Sequence, residues 1–233
     1  AYGRDRGAKL TDLLKKVVEV PGDYRVRVGM MNPHFAADMI NELVEVLNHP
    51  KIYRFVHIPL QSGSNKVLRD MNRPYTVELF REVVEALREG VEGVSIATDI
   101  IVGYPTETHK DFEKTVELIR ELRPDVVNIS KYGPRPGTPA SKLKPLNSKE
   151  VKKRSTAIAK LCEQIAYQNN QRMVGHREKV FLIELDRFGK NVVARTYNYK
   201  PVVIRDHLQL LGVKKEIRVL EAKTFHLLGE IIE

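Results

Sequence analysis

The chain has 233 residues, of which 42% are hydrophobic and 30% charged, with a formal net charge of +9 and one cysteine. That length allows one large domain, or a medium domain and a small one. The lone Cys162 excludes an internal disulfide and a three-cysteine iron–sulfur site built from these residues alone, and no run of roughly eighteen apolar residues signals a membrane span. One cysteine suggests a reducing compartment, so a cytoplasmic location is expected. The positive charge suggests an anionic partner, nucleic acid first, against the plainer alternative of a soluble basic protein. The first residues, Ala-Tyr-Gly-Arg-Asp-Arg, lack an initiator Met and a signal-peptide core. A processed or truncated start is expected.

In chain order, Leu10 to Val18 reads as a helix. Tyr24 to Met30 reads as a strand, with Val26 and Val28 alternating with Arg25 and Arg27. Phe35, Ile40, Leu43, Val44 and Leu47 predict one helix over 35–47. Arg54 to Leu60 is the next strand, and Ser64 stands where it could cap a short helix to Met71. Thr76 opens a helix whose Val77, Phe80, Val84 and Leu87 share a face. The strand Val94 to Val102 runs into a Gly-x-Pro turn carrying Glu107. Thr108 and Asp111 have the capping-box spacing of a helix reaching Leu122. Val126 to Tyr132 is the last strand of this series. Strands alternating with helices predict an α/β fold with parallel pairing and right-handed crossovers. The polar loops at the carboxyl ends of such strands are where ligands bind.

Gly133, Pro134, Pro136, Gly137, Pro139 and Pro145 make 133–150 a turn-rich linker. A long helix from about Ser148 to Met173 follows, with Val151, Ile158, Leu161 and Ile165 spaced for docking. Beyond Val174 the pattern changes to short strands: Lys179–Asp186, Val192–Thr196, Pro201–Arg205, Glu216–Ala222 and Leu227–Ile232. About five strands in about sixty residues predict a small, OB-like all-β barrel. The expected domains are 1–147 and 174–233, joined by the helix 148–173.

Several loops could carry chemistry. Asn32-Pro33 follows the first strand, where it serves as a plain turn or faces a substrate. His57 lies in an apolar strand whose exit carries Gln61, Ser62 and Ser64 around Gly63. An amide, two hydroxyls and free backbone N–H groups suit ribose or an amino-acid moiety. Asp99, inside an apolar strand, either projects into a barrel or pairs with Arg25 or Arg27. Gly103 would let a ligand approach the backbone. Glu107 either shapes the same site or simply favours the following helix N-terminus. Arg135, between two prolines, is a preorganised guanidinium suited to carboxylate or phosphate, or an incidental linker residue. Cys162 reads as a small core residue. No hydrolytic triad, Walker loop or zinc spacing is present.

Basic residues cluster from Lys142 to Lys160, where seven Lys or Arg face only Glu150. Lys152, Lys153 and Arg154 fall in this run. In 174–233, eleven Lys or Arg stand against eight Asp or Glu. Arg195, Tyr197 and Lys200 lie at a strand corner there, and cations beside aromatics on a small barrel suit RNA. The alternative is a solvated face with tyrosines at the core edge.

The segments Arg25-Val-Arg-Val-Gly-Met-Met-Asn-Pro33, His57-Ile-Pro-Leu-Gln-Ser-Gly-Ser64, Met71-Asn-Arg-Pro-Tyr-Thr76, Thr98 to Thr108, Val127-Asn-Ile-Ser130, Arg135-Pro-Gly-Thr-Pro139 and Arg195-Thr-Tyr-Asn-Tyr-Lys-Pro-Val202 resemble the radical-SAM methylthiotransferases. The resemblance is to the archaeal and eukaryotic branch that modifies tRNA. It implies a partial (β/α) radical-SAM barrel followed by a TRAM domain, an RNA-binding barrel. It implies insertion of a methylthio group at C2 of N6-threonylcarbamoyladenosine beside the anticodon. S-adenosylmethionine would serve as methyl donor and radical source, with [4Fe–4S] clusters held elsewhere. The family's N-terminal flavodoxin-like domain and Cys-x3-Cys-x2-Cys loop are not in this sequence, so the chain alone is expected to be inactive.

Carried over residue by residue, the resemblance places Gln61, Ser62, Asp99, Gly103 and Glu107 at the cofactor. It places Asn32 and Arg135 at the substrate, and Lys152, Lys153, Arg154, Arg195, Tyr197 and Lys200 at the RNA. The rival expectations are an RNA-binding module without a cluster, and a methylthiotransferase acting on isopentenyladenosine or on a ribosomal protein.

Overall fold

The computed structural model describes residues 2–232. The chain divides into two compact units, one ending at Cys162 and the other beginning at Glu163.

The first unit alternates helices and parallel strands. Its helices are α1 (Leu10–Glu19), α2 (Pro33–Ala37), α3 (Ile40–Leu47), α4 (Asn65–Asp70), α5 (Val77–Gly90) and α6 (His109–Leu122). The strands β1 (Phe55–His57), β2 (Ser95–Val102) and β3 (Val126–Lys131) pair in that order, all parallel. The α/β organisation read from the alternating pattern is the one that forms. Its core follows the predicted faces: Val77, Phe80, Val84 and Leu87 of α5 are buried, as are Leu43 and Leu47 of α3. Thr76 caps α5 by accepting from the Leu79 N–H at 3.2 Å. Thr108 and Asp111 complete the expected capping box on α6.

Two expected elements differ. The strand over 24–30 does not form. This segment makes parallel bridges only at Val26 with Ile52 and at Met30 with His57. Its neighbour explains why: the Phe55 N–H bonds back to the Tyr53 carbonyl at 2.7 Å, a kink that lets the two segments register only at their ends. The helix over 35–47 is two helices, broken at Met39 with φ −137° and ψ 28°. The step from Phe35 to Ile40 is out of helical phase, whereas Ile40, Leu43, Val44 and Leu47 keep it.

A long helix, α7 (Ser148–Gln171), spans the division between the units. The second unit is a closed barrel of β4 (Arg177–Leu185), β5 (Asn191–Arg195), β6 (Pro201–Arg205), β7 (Lys214–Ala222) and β8 (Leu227–Ile231). Strand order is β4-β5-β6-β8-β7, and only β6 with β8 pairs parallel. Alternate residues such as Val180 and Leu182, Val192 and Ala194, and Val202 and Ile204 fill its interior, as inward alternation on a small barrel requires. The five strands lie where the sequence places them, within two residues at each end.

Candidate functional site

The carboxyl ends of β2 and β3 open into a cleft of about 720 Å³ lined by Gln61, Asp99 and Arg135 among others. Three residues from three separated segments are therefore brought together. Asn32 lines a different cleft, of about 690 Å³, formed by the segments around α1 and α2. There its side chain caps α2, accepting from the His34 N–H at 2.9 Å.

Gln61 has φ +68°, a left-handed conformation uncommon outside glycine. Neighbouring backbone holds it there. Its N–H donates to the Asp99 carbonyl at 2.7 Å, and its carbonyl accepts from Ile101 at 3.0 Å. Strain of this kind, over-determined by its surroundings, is frequent at ligand sites. Next to it the backbone of Gly63 presses on α6. A Cβ there would lie 2.5 Å from the Thr115 Cα, and the Gly63 N–H donates to Thr115 Oγ1 at 2.9 Å. Ser62 is fully buried, its hydroxyl accepting from the Ser64 N–H at 3.2 Å. Ser64 occupies the N-cap position of α4 without capping it. Its hydroxyl instead donates to Asp111 at 2.6 Å.

Asp99 pairs with neither Arg25 nor Arg27. His57 Nε2 lies 3.0 Å from its Oδ1, and Asn128 Nδ2 donates to the same oxygen at 2.8 Å. A carboxylate on an apolar strand is thereby satisfied. Alternation supplies the partners, since Asn128 sits opposite Asp99 in the β2–β3 register.

Gly103 and Glu107 are not among the cleft's lining residues. Gly103 has φ +82°, and a Cβ there would lie 2.6 Å from Val151 Cγ2 of α7. The close approach to this glycine is thus made by a packed valine, which corrects the expectation of a ligand at that spot. Glu107 is buried and accepts from the Gly103 N–H at 2.9 Å and from Arg154 at 2.8 Å. Burial raises its carboxyl above the usual range, against the pull of those two donors.

The RNA-facing expectations divide. Lys152 and Lys153 are exposed. Arg154 is not: its side chain is 7% exposed, held by Glu107 and by Glu150 at 2.9 Å. Lys200 is also buried, its ammonium donating to Asn170 Oδ1 at 3.0 Å. Those two correct the sequence reading: Arg154 lies on the face of α7 that meets Glu107, and Lys200 reaches a buried amide acceptor rather than solvent. Tyr197 is partly buried against the barrel core. Arg195 is ion-paired with Glu184 and lies 4.7 Å over the Tyr199 ring.

The sequence reading missed Arg73, Lys131 and Tyr132, which line the cleft. For Arg73 and Tyr132 the signal is position: Asn72, φ +54°, precedes Arg73, and Tyr132 directly follows β3.

Among the described residues no three His, Cys, Asp or Glu side chains group as metal ligands. No helix is long and apolar enough to cross a membrane.

A family model described as the radical SAM superfamily matches residues 2–119, and one described as the TRAM domain matches 171–232. The chain is 44% identical over 232 residues to a protein of Archaeoglobus fulgidus named probable threonylcarbamoyladenosine tRNA methylthiotransferase, covering 99% of this chain and 54% of that protein. It is 40% identical over 234 residues to the threonylcarbamoyladenosine tRNA methylthiotransferase of Drosophila pseudoobscura pseudoobscura, covering 42% of that protein. The chain thus spans about half the length of the curated relatives it matches. Among solved structures, coproporphyrinogen III oxidase from Escherichia coli, a radical SAM enzyme, superposes with a TM-score of 0.50 at 16% identity, over 91% of this chain and 50% of that one. A parallel α/β sheet with its cleft at the strand ends, a match to the family over half its length and the relatives' identity lead to one assignment: this chain belongs to the radical SAM superfamily and carries a TRAM domain.

Proposed function

We propose that this chain is part of an enzyme that inserts a methylthio group at C2 of N6-threonylcarbamoyladenosine, next to the anticodon of a tRNA. The observation that carries this reading is the identity to relatives of that name, which runs through both units. The cleft and the barrel supply the physical means. S-adenosylmethionine, when bound, would supply the methyl group and the radical. The cleft suits its nucleoside end, with Ile100 and Ile101 as apolar wall and Gln61 and Asp99 as polar partners.

A [4Fe–4S] cluster does not fit these residues. Its irons take cysteine thiolates, and Cys162 is the sole cysteine of this sequence, so these residues alone cannot ligate one. The chain's own part is to bind, orient and exclude water. Asp99, fixed by His57 and Asn128, offers an oriented acceptor to an amine or hydroxyl. The barrel and the exposed Lys152 and Lys153 would hold the tRNA backbone, and a loop base is open to recognition where a duplex base is not.

The test is binding of the chain to two tRNA anticodon stem-loops, identical except for the N6-threonylcarbamoyl group, at moderate salt. Preference for the modified loop supports the reading, and equal affinity removes the modified base from it. A second reading, an RNA-binding module, is favoured by the basic run from Lys142 to Lys160, in which Lys152 and Lys153 are exposed. Titration with S-adenosylmethionine separates the two, since only the first expects saturable binding.

A further inference from the structure

The cleft at the carboxyl ends of β2 and β3 contains polar atoms that the fold leaves unused. The Nε of Arg73 and the hydroxyl of Tyr132 are shielded from solvent and have no hydrogen-bond partner. Both side chains line the cleft. Buried donors are nearly always satisfied in native proteins, so two unsatisfied ones in side chains that line one cleft point to a ligand that draws them in.

The charges in the cleft indicate which kind. Arg73, Lys131 and Arg135 line it, with Asp70 and Asp99 as the acids. Both acids have hydrogen-bond partners of their own, and they are outnumbered by the three cations. Asp70 accepts from Thr106 and lies 3.6 Å from Lys66, and Asp99 is held by His57 and Asn128. Among the described residues no acidic side chain forms an ion pair with Arg73, Lys131 or Arg135. What remains is cationic and donor-rich, the complement of a planar anion with two oxygens.

The donors are also held in place. The Tyr132 ring stands edge-on to Tyr104, 5.3 Å between centroids, and the Tyr104 hydroxyl donates to the Asp70 carbonyl at 2.7 Å. Arg73 sits between Asn72 in a left-handed conformation and Pro74, which restricts the backbone of the residue before it.

We infer that Arg73 and Tyr132, with Arg135 beside them, form a subsite for a carboxylate, the one on the amino-acid group attached to N6 of the substrate adenosine. This rests on the function proposed above, since a threonylcarbamoyl group ends in a free carboxylate and an isoprenoid group has none. The subsite makes the cleft selective for an acidic N6 substituent. Leaving the guanidinium and phenol unpaired against an apolar one is costly, and a site built for hydrogen bonds rejects analogues that lack them.

Calorimetric titration of the 233-residue chain tests this with N6-threonylcarbamoyladenosine, its methyl ester, N6-isopentenyladenosine and S-adenosylmethionine. The free acid should bind roughly tenfold or more tighter than the ester, the range for a hydrogen-bonded charge. Arg73→Gln and Tyr132→Phe should each remove roughly that factor for the acid and leave the ester and S-adenosylmethionine unchanged. Tyr132→Phe also keeps or raises the thermal midpoint, because it deletes an unpartnered buried hydroxyl. Its binding loss therefore cannot come from unfolding.

Equal binding of acid and ester overturns the subsite, as does an acid that fails to bind. If the modified stem-loop is still preferred over the unmodified one, the proposed function survives that outcome. If the variants weaken S-adenosylmethionine instead of the nucleoside, the donors belong to the cofactor's carboxylate and the inference falls.

Discussion

Arg154 donates to Glu107 at 2.8 Å with the two side chains only 7% and 2% exposed. The pair fastens the first turns of α7 to the loop that leaves β2, where Glu107 also accepts from the Gly103 N–H. Removing one partner from a buried ion pair strands the other charge, at a cost of about 3–5 kcal/mol. Arg154→Ala should therefore destabilise the protein by about that much in urea unfolding. The double variant Glu107→Gln with Arg154→Met should recover most of the loss. A double variant as unstable as the single one would mean that the pair contributes through packing alone.

Gly103 and Val151 form a second contact across the same junction. Alanine at Gly103 must adopt a positive φ, costing about 1–2 kcal/mol, and must also displace the valine that would lie 2.6 Å from its Cβ. The expected remedy is Val151→Ala, which opens that space. The double variant should be less destabilised than the sum of the two singles, with a coupling of about 0.5–3 kcal/mol in a double-mutant cycle. Strict additivity would show that backbone strain is the whole cost.

Asp111 gives the acid limb of the stability profile. Burial works against its charge, but donors from Ser64 and Thr108 outweigh this and hold its carboxyl below the ordinary 3.8. A depressed carboxyl contributes stability that is fully present above pH 3.8 and is lost as pH falls through the lower, folded value. Asp111→Asn should be less stable than the parent at neutral pH, by about 1–3 kcal/mol for the buried partners it leaves. The gap should narrow below pH 3.8, as read by chemical unfolding at a series of pH values. A gap independent of pH would assign the effect to shape rather than charge.

Lysines that look equivalent in sequence should behave differently. Lys152→Ala with Lys153→Ala should leave the thermal midpoint unchanged and reduce the slope of log affinity for tRNA against log salt by roughly two, about one per phosphate contact. Lys200→Ala should lower the midpoint, because it deletes the donor to Asn170 inside the barrel unit. An unaffected midpoint for Lys200→Ala would return that residue to the RNA face.

Legibility in the sequence followed how local the cause was. Capping at Thr76 and Thr108 and the alternation along 179–232 are decided within a few residues, and they were read correctly. The failure at 24–30 came from a kink in the neighbouring segment at Tyr53 and Phe55, which no pattern within 24–30 reports. Charge is legible as composition but not as direction. Arg154 and Lys152 are two positions apart on one helix, and helical geometry sends one inward to Glu107 and leaves the other in solvent. Gln61, Asp99 and Arg135 stood out in the sequence as polar residues in or just beyond apolar strands, and the fold puts all three on one cleft. Arg73 and Tyr132 escaped because their significance is a missing partner, which only the assembled fold displays.

The strand order of the barrel sets a timetable for its assembly. The sheet of the first unit pairs β1, β2 and β3 in the order they are made, so it can consolidate as the chain emerges from a ribosome. In the barrel, β8 lies between β6 and β7 and pairs with both. Until Leu227–Ile231 is released, each of those strands keeps a bare edge, a template for pairing with another chain. This unit therefore closes only after its final strand is synthesised, and a pause or nick shortly before Leu227 would leave two sticky edges on an otherwise folded protein.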